Sequence, residues 1–382
     1  MQRVHFDKHI EVDIAHEDTE ALIPDRATGT RLKPSSFADS DMGKMLPCAF
    51  GTALLLGLVF IVSSASHSPT MPNNYSSSVL KQVPGWPADL HKFDVGNFTS
   101  TAIGYAADSM QKVVQKVVFI AQRKKNAYKD AILAFDPESG KFITSFGGNN
   151  IGSPHGTKYD VTRKSLWVAD IERHTVLRLQ GSDGVVLNEF GTNGIPGTGL
   201  NPTLQFGNVA DIAIDDVGNT YITDGDGGVN NRFVKLNQTF GVEWSVDHDF
   251  GSPHSIAWER GRNYIWVADR SHNRTQVFDA SSGKFVMEYT CQRDIDPDSP
   301  APISPWGIRI DEKNQELIMA ANTMSGTHGH LLRLPLDSCK VLQDIKICEK
   351  CKPHELSVDE ENGSVYLANI GVNSSLMKFE RH

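Results

Sequence analysis

The sequence predicts an all-β fold, a six-bladed β-propeller, preceded by a single N-terminal transmembrane helix. Three observations predict it. One strand pattern, led by an aromatic residue in five copies and by methionine in the other, recurs six times, with starts 45 to 54 residues apart. Turn residues (Asp, Asn, Gly) precede most copies, and a second apolar strand follows most of them. No long helical period occurs outside residues 45–65. A period of 40–50 residues carrying several short strands is the mark of a propeller with one repeat per blade.

Taken in chain order, residues 1–44 carry six basic and nine acidic residues without a sustained apolar period, and read as a flexible cytoplasmic tail. Residues 45–65, "MLPCAFGTALLLGLVFIVSSA", contain no charge. Twenty-one helical residues span roughly 30 Å, enough to cross a bilayer. Arg26, Arg31, Lys33 and Lys44 precede this segment, and the first basic residue after it is Lys81. The positive-inside rule then puts the tail in the cytoplasm and the rest outside or in a lumen, as in a type II membrane protein of the secretory pathway or cell surface. A cleaved signal peptide is the competing reading. Such peptides occupy the first 15–30 residues, which favours an uncleaved signal-anchor here.

Residues 66–98 begin Ser-, Pro- and Asn-rich and read as a stalk or linker, so the propeller is expected over 99–382. Its six strands start at Phe119, Trp167, Tyr221, Trp266, Met319 and Tyr366. One four-stranded blade cannot bury both its faces, so neighbouring blades stack around an axis and close a ring. The net charge of −9, with no basic block, excludes a general nucleic-acid binder. Asn-x-Ser/Thr acceptors at Asn74, Asn97, Asn237, Asn273, Asn362 and Asn373 all lie beyond the apolar segment, as glycosylation in a lumen requires.

Of five cysteines, Cys48 falls in the apolar segment, and the other four form an even set for an oxidising compartment. Three pairings are possible, and Cys291–Cys339 is the expected one. Cys348-x-x-Cys351 is then a small disulfide loop or a redox or metal motif. It lacks the βαβ context of a thioredoxin and a second CxxC, which favours the plain disulfide.

The sharpest signal is a Pro-His pair in "GSPHGTKYDVTRKSLWVADI", "GSPHSIAWERGRNYIWVADR" and "CKPHELSVDEENGSVYLANI". His155, His254 and His354 each precede the anchor aromatic of their repeat by twelve residues, and they belong to blades two, four and six. Equivalent positions on alternate blades are related by a pseudo-threefold rotation, which brings the imidazoles to the axis if the phase points them inward. Three neutral imidazoles around an open position match a catalytic zinc site, although imidazole accepts other divalent ions. The structural alternative is a Pro-His turn that merely packs well at the start of an inner strand.

The strand endings "VAD" and the trailing "QVFD" resemble the NHL repeat. With the Pro-His motifs, residues from about 100 to 382 resemble the peptidyl-α-hydroxyglycine α-amidating lyase family, which completes the C-terminal amidation of secreted peptides. The resemblance implies zinc on His155, His254 and His354, and substrate-facing catalytic arginines at Arg123 in "IAQR" and Arg270 in "VADR". It also implies a channel calcium, held by the Glu355 carboxylate and the Thr157 carbonyl. An ordinary surface or inter-blade ion pair is the alternative for either arginine.

Two positions depart from the lyase pattern. Asp226 in "DGDGGVNNRF" stands where the lyases have a tyrosine, and Lys352 where they have an apolar side chain. The altered loop, with the preceding "LNPTLQFGN", is closer to the family of NHL-repeat-containing protein three. Two functions follow as expectations. One is a membrane-anchored lyase or lyase-like enzyme acting on a peptide substrate. The other is a non-catalytic propeller that binds a protein or peptide around a structural metal.

Overall fold

The computed structural model describes residues 77–107, 114–123, 129–199, 204–291, 303–323, 328–371 and 374–382. The tail, the apolar segment 45–65 with Cys48, Asn74 and Asn373 lie outside the described residues. Among the described residues no helix is long and apolar enough to cross a membrane.

Six four-stranded antiparallel sheets form the propeller expected from the repeat. Strand β1 (Leu80–Val83) comes first in the chain. Blade one is β2 (Asn97–Ala107), β3 (Val114–Arg123), β4 (Ile132–Phe135) and β5 (Phe142–Phe146); blade two is β6 (Pro154–Asp160), β7 (Ser165–Asp170), β8 (Thr175–Gln180) and β9 (Val186–Gly191). Blade three is β10 (Val209–Ile214), β11 (Thr220–Asp224), β12 (Arg232–Leu236) and β13 (Val242–Val246); blade four is β14 (Pro253–Glu259), β15 (Tyr264–Asp269), β16 (Arg274–Asp279) and β17 (Phe285–Tyr289). Blade five is β18 (Ile303–Asp311), β19 (Glu316–Thr323), β20 (His328–Pro335) and β21 (Gln343–Glu349). Blade six takes three strands from the C-terminus, β22 (Lys352–Val358), β23 (Val365–Ile370) and β24 (Ser375–Arg381), and its outer strand from β1.

That last pairing corrects the expected boundary. Residues 80–98 are not the end of a stalk: β1 pairs with β24 in register Leu80↔Arg381 to Val83↔Lys378 and closes the ring. The innermost strands β2, β6, β10, β14, β18 and β22 neighbour one another in sequence, and β22 returns to β2.

The repeated anchors explain why the blades stack. Phe119, Trp167, Tyr221, Trp266, Met319 and Tyr366 lie within the second strands and are no more than 3% exposed. Trp167 stacks on Phe190 (ring centroids 5.3 Å apart) and Trp266 on Tyr289 (5.5 Å), each against its own blade's outer strand. Such side chains bury 150–250 Å² each and dominate a core of this kind. Outer-blade residues are bonded by both expected disulfides, Cys291–Cys339 and Cys348–Cys351. Of the described glycosylation acceptors, Asn97 and Asn362 are exposed, and Asn237 and Asn273 half-buried.

Candidate metal centre

Why the Pro-His pair repeats is visible in the strand registers. On β6, β14 and β22 the ladder breaks just after the proline: between Pro154 and Thr157, Pro253 and Ser255, and Pro353 and Leu356. A β-bulge re-aims a side chain out of the regular alternation. Each histidine sits in such a break and points into the channel. The aspartate of the "VAD" ending holds the loop that leads there. Asp170 accepts hydrogen bonds from the Gly152 and Ser153 amides (2.6 and 3.0 Å), and Asp269 from those of Gly251 and Ser252 (2.9 and 3.0 Å).

The odd-numbered blades carry matching breaks, between Phe98 and Ser100, Val209 and Ile212, and Pro305 and Gly307. Their freed carbonyls orient the imidazoles. His155 Nδ1 donates to Ala210 O (2.9 Å), His254 Nδ1 to Trp306 O (2.7 Å) and His354 Nδ1 to Thr99 O (2.6 Å). A ligating histidine is commonly fixed by such a bond from its other nitrogen, which sets the tautomer. In a neutral ring it leaves Nε2 with a lone pair, as a metal ligand needs. Close approach between blades is needed, and glycine permits it: a Cβ on Gly307 would lie 2.2 Å from His354 O, and one on Gly156 2.4 Å from Ala210 O.

The three histidines are at most 1% exposed, with ring centroids 4.5, 4.7 and 4.8 Å apart. One donor atom from each lies within 4.8 Å of the others. Nitrogens sharing a tetrahedral zinc stand about 3.3 Å apart, so a small inward closure suffices. The buried Nε2 of His254 has no hydrogen-bond partner. His155 Nε2 faces Asp226 Oδ2 at 3.4 Å. The donor set therefore fits a borderline divalent ion such as zinc.

Around this centre lie the other predicted residues. Arg270 sets Nη2 3.0 Å from Asp226 Oδ1 and lies over the Trp306 ring, 4.8 Å from its centroid. Trp306 in turn sits 5.6 Å from His254 and 5.8 Å from His354, and Lys352 Nζ is 5.9 Å from its centroid. Arg123 ends β3 with a buried, unpartnered Nε, and its charge acts on His354. Sequence reasoning passed over Trp306, although "SPWG" in blade five echoes "SPHG" and "SPHS" one residue out of phase. It also passed over Asp211, Ser255 and Arg309, which occupy the channel below the histidines.

The residues do not fit the implied calcium. Glu355 Oε2 is already met by Ser255 Oγ at 2.9 Å and by Arg309 Nη1 at 3.4 Å. A guanidinium stands where a hard cation would need oxygen ligands.

Burial pushes the imidazoles of His254 and His354 well below the ordinary 6.5; for His254 the Arg270 and His155 charges add to it, and for His354 those of His155 and His254. The unfolded chain then takes up protons that the folded chain refuses, so stability is full above the unfolded value and is lost as pH falls below it. Bound metal steepens the loss, because its ligands must be deprotonated. The melting midpoint should fall from about pH 7 to about pH 5, more steeply with zinc than with chelator. A midpoint independent of pH over that range would contradict the assignment. Burial opposes ionisation of Asp226, yet the His155 hydrogen bond and the Arg270 charge hold its carboxyl well below the usual range.

No protein-family model matches the chain. It is 32% identical over 357 residues to NHL repeat-containing protein 3 of Homo sapiens, covering 86% of this chain and 94% of that protein. Peptidyl-alpha-hydroxyglycine alpha-amidating lyase 1 of Drosophila melanogaster is 24% identical over 262 residues, covering 63% of this chain and 47% of the lyase. A solved gluconolactonase from Xanthomonas campestris superposes with a TM-score of 0.52 at 13% identity, over 81% of this chain and 91% of its own, a likeness of fold. The chain belongs to the NHL repeat-containing protein 3 family, six-bladed propellers with homology to the amidating lyases.

Proposed function

We propose that the chain is a membrane-anchored, luminal or extracellular metalloenzyme of the peptidyl-α-hydroxyglycine α-amidating lyase type, acting on peptide carboxyl ends with zinc. The observation that carries this reading is the set of three buried imidazoles converging beside Asp226 and Arg270. Paired disulfides support the oxidising compartment.

His155, His254 and His354 would hold the ion, which supplies Lewis acidity toward a hydroxyl oxygen. Arg270, braced on Trp306, would receive the substrate carboxylate by charge-assisted hydrogen bonds, with Arg123 on the His354 side. Asp226, held ionised, would accept the hydroxyl proton. As that proton leaves, the C–N bond breaks with its electron pair on nitrogen. The nitrogen takes a proton, giving a peptide amide and glyoxylate.

One observation favours the second reading, a peptide-binding module with a structural metal: Asp226 already occupies Arg270. The test is glyoxylate release from a peptide ending in α-hydroxyglycine, using the purified full-length chain with and without chelator. The enzyme reading expects chelator-sensitive release at least ~100-fold above the uncatalysed rate, the scale of general acid–base help. It also expects His254→Ala to fall to background. Release no faster than the spontaneous rate leaves the binding module.

A further inference from the structure

The half of the channel beyond the histidines is an enclosed ionic cluster contributed by four blades. Asp211 comes from β10, Ser255 from β14, Arg309 from β18 and Glu355 from β22. All four are buried, Asp211, Ser255 and Glu355 completely. Arg309 forks onto Asp211 with both terminal nitrogens, Nη1 to Oδ2 at 2.7 Å and Nη2 to Oδ1 at 3.1 Å. The same Nη1 lies 3.1 Å from Ser255 Oγ, 2.7 Å from its neighbour's carbonyl at Ile308, and 3.4 Å from Glu355 Oε2. Ser255 Oγ bridges the two acids, 2.8 Å from Asp211 Oδ2 and 2.9 Å from Glu355 Oε2. The Ile256 amide donates to Asp211 Oδ2 at 3.1 Å. Glu355 Oε1 alone lacks a hydrogen-bond partner and stands 3.4 Å from His254 Nδ1.

We infer that Arg309 is a built-in cation that does the work of a channel calcium, so that the ring closes without one. The planar guanidinium reaches from blade five to the carboxylate of blade three and past that of blade six. Tying blades together across the axis in this way is what a multivalent ion would otherwise do. Its fork matches carboxylate geometry, and its charge is permanent. A calcium on Glu355 and the Thr157 carbonyl would stand against that guanidinium. Calcium needs six to eight oxygen ligands and meets instead a fixed cation. The inference does not rest on the lyase reading, since it concerns what holds the ring.

The test is thermal unfolding of the full-length chain, stripped of metal and then resupplied with zinc, with and without millimolar calcium. Calcium should leave the wild-type midpoint unchanged, and elemental analysis should find less than a tenth of a calcium per chain. A native site at a hundredfold excess over its dissociation constant would raise the midpoint by roughly 4 °C. Such a rise, or one retained calcium per chain, overturns the inference. Arg309→Met removes the charge and leaves two facing acids. Its midpoint should drop and should now rise with calcium, whereas a variant as stable as wild type and indifferent to calcium counts against the role. Arg309→Lys keeps the charge without the fork. It should fold with a lower midpoint and stay indifferent to calcium, and a calcium-dependent rise in it would overturn the claim even if the methionine variant fails to fold.

Discussion

Replacing His254 with alanine should lower bound divalent metal from one ion per chain to less than a tenth of one, a loss of affinity above ~100-fold. Removing an outer hydrogen-bond partner of a ligand already costs 10–100-fold, and removing the ligand itself costs more. His254 is suited to this test because its environment offers nothing else to its Nε2. The ring is fully buried, its Nδ1 is spent on Trp306 O, and Nε2 has no partner. Two imidazoles and a carboxylate would be left, and Asp226 is engaged by Arg270. The cavity and the orphaned Trp306 carbonyl should cost about 1–3 kcal/mol of stability, which a propeller of this size tolerates. Metal is read by elemental analysis on folded protein, with His248→Ala as control. His248 is exposed and bonded to Gln276, and its loss should leave the metal in place. If His254→Ala folds and still holds a full equivalent of zinc, the centre is not where the three rings meet.

The ring and the three histidines were legible because both are periodic. Six anchors and three Pro-His pairs keep one phase within a repeat, and phase is what a sequence records. The function of the "VAD" aspartates was less legible, since the pattern shows only that they recur, and their bonds to the glycine-serine loops are three-dimensional. Arg309 is harder still. In "GIRID" it reads as any alternating strand residue, and the acid it grips lies 98 positions earlier with no motif joining them. Asp226 was visible as a departure from the lyase pattern, but its place between His155 and Arg270 depends on how the loop Asp226–Gly228 turns, with Gly227 and Gly228 at φ of 69° and 83°. The inference that Arg309 stands in for calcium was out of reach for the same reason. Glu355 and Thr157 sit at the right phase, but the charge that fills the space between the blades comes from a fifth strand set.

The closing strand was the least legible element and carries the second large effect. "LKQV" is four residues long and has no periodicity of its own; what makes it a strand is β24, some 300 residues later. A chain starting after Val83 should lose about 3–5 kcal/mol against one starting at residue 77, from one buried leucine and several unmade hydrogen bonds. Leu80 is 2% exposed in the cluster with Phe379 and Leu331. Gln343 clasps the Leu80 backbone from blade five, accepting from its amide and donating to its carbonyl, both at 2.9 Å. Arg333 also donates to Ser78 O (2.5 Å). Without β1, β24 becomes an exposed edge with free amides and carbonyls, the template along which sheets aggregate. The shorter chain should therefore melt earlier and self-associate on warming, as followed by thermal denaturation and light scattering at matched concentration. Leu80→Asp in the full chain should reproduce part of the loss while keeping the strand's backbone. Equal midpoints for the two lengths would mean that blade six holds with three strands, and that ring closure is carried by the inner-strand contacts between β22 and β2 alone.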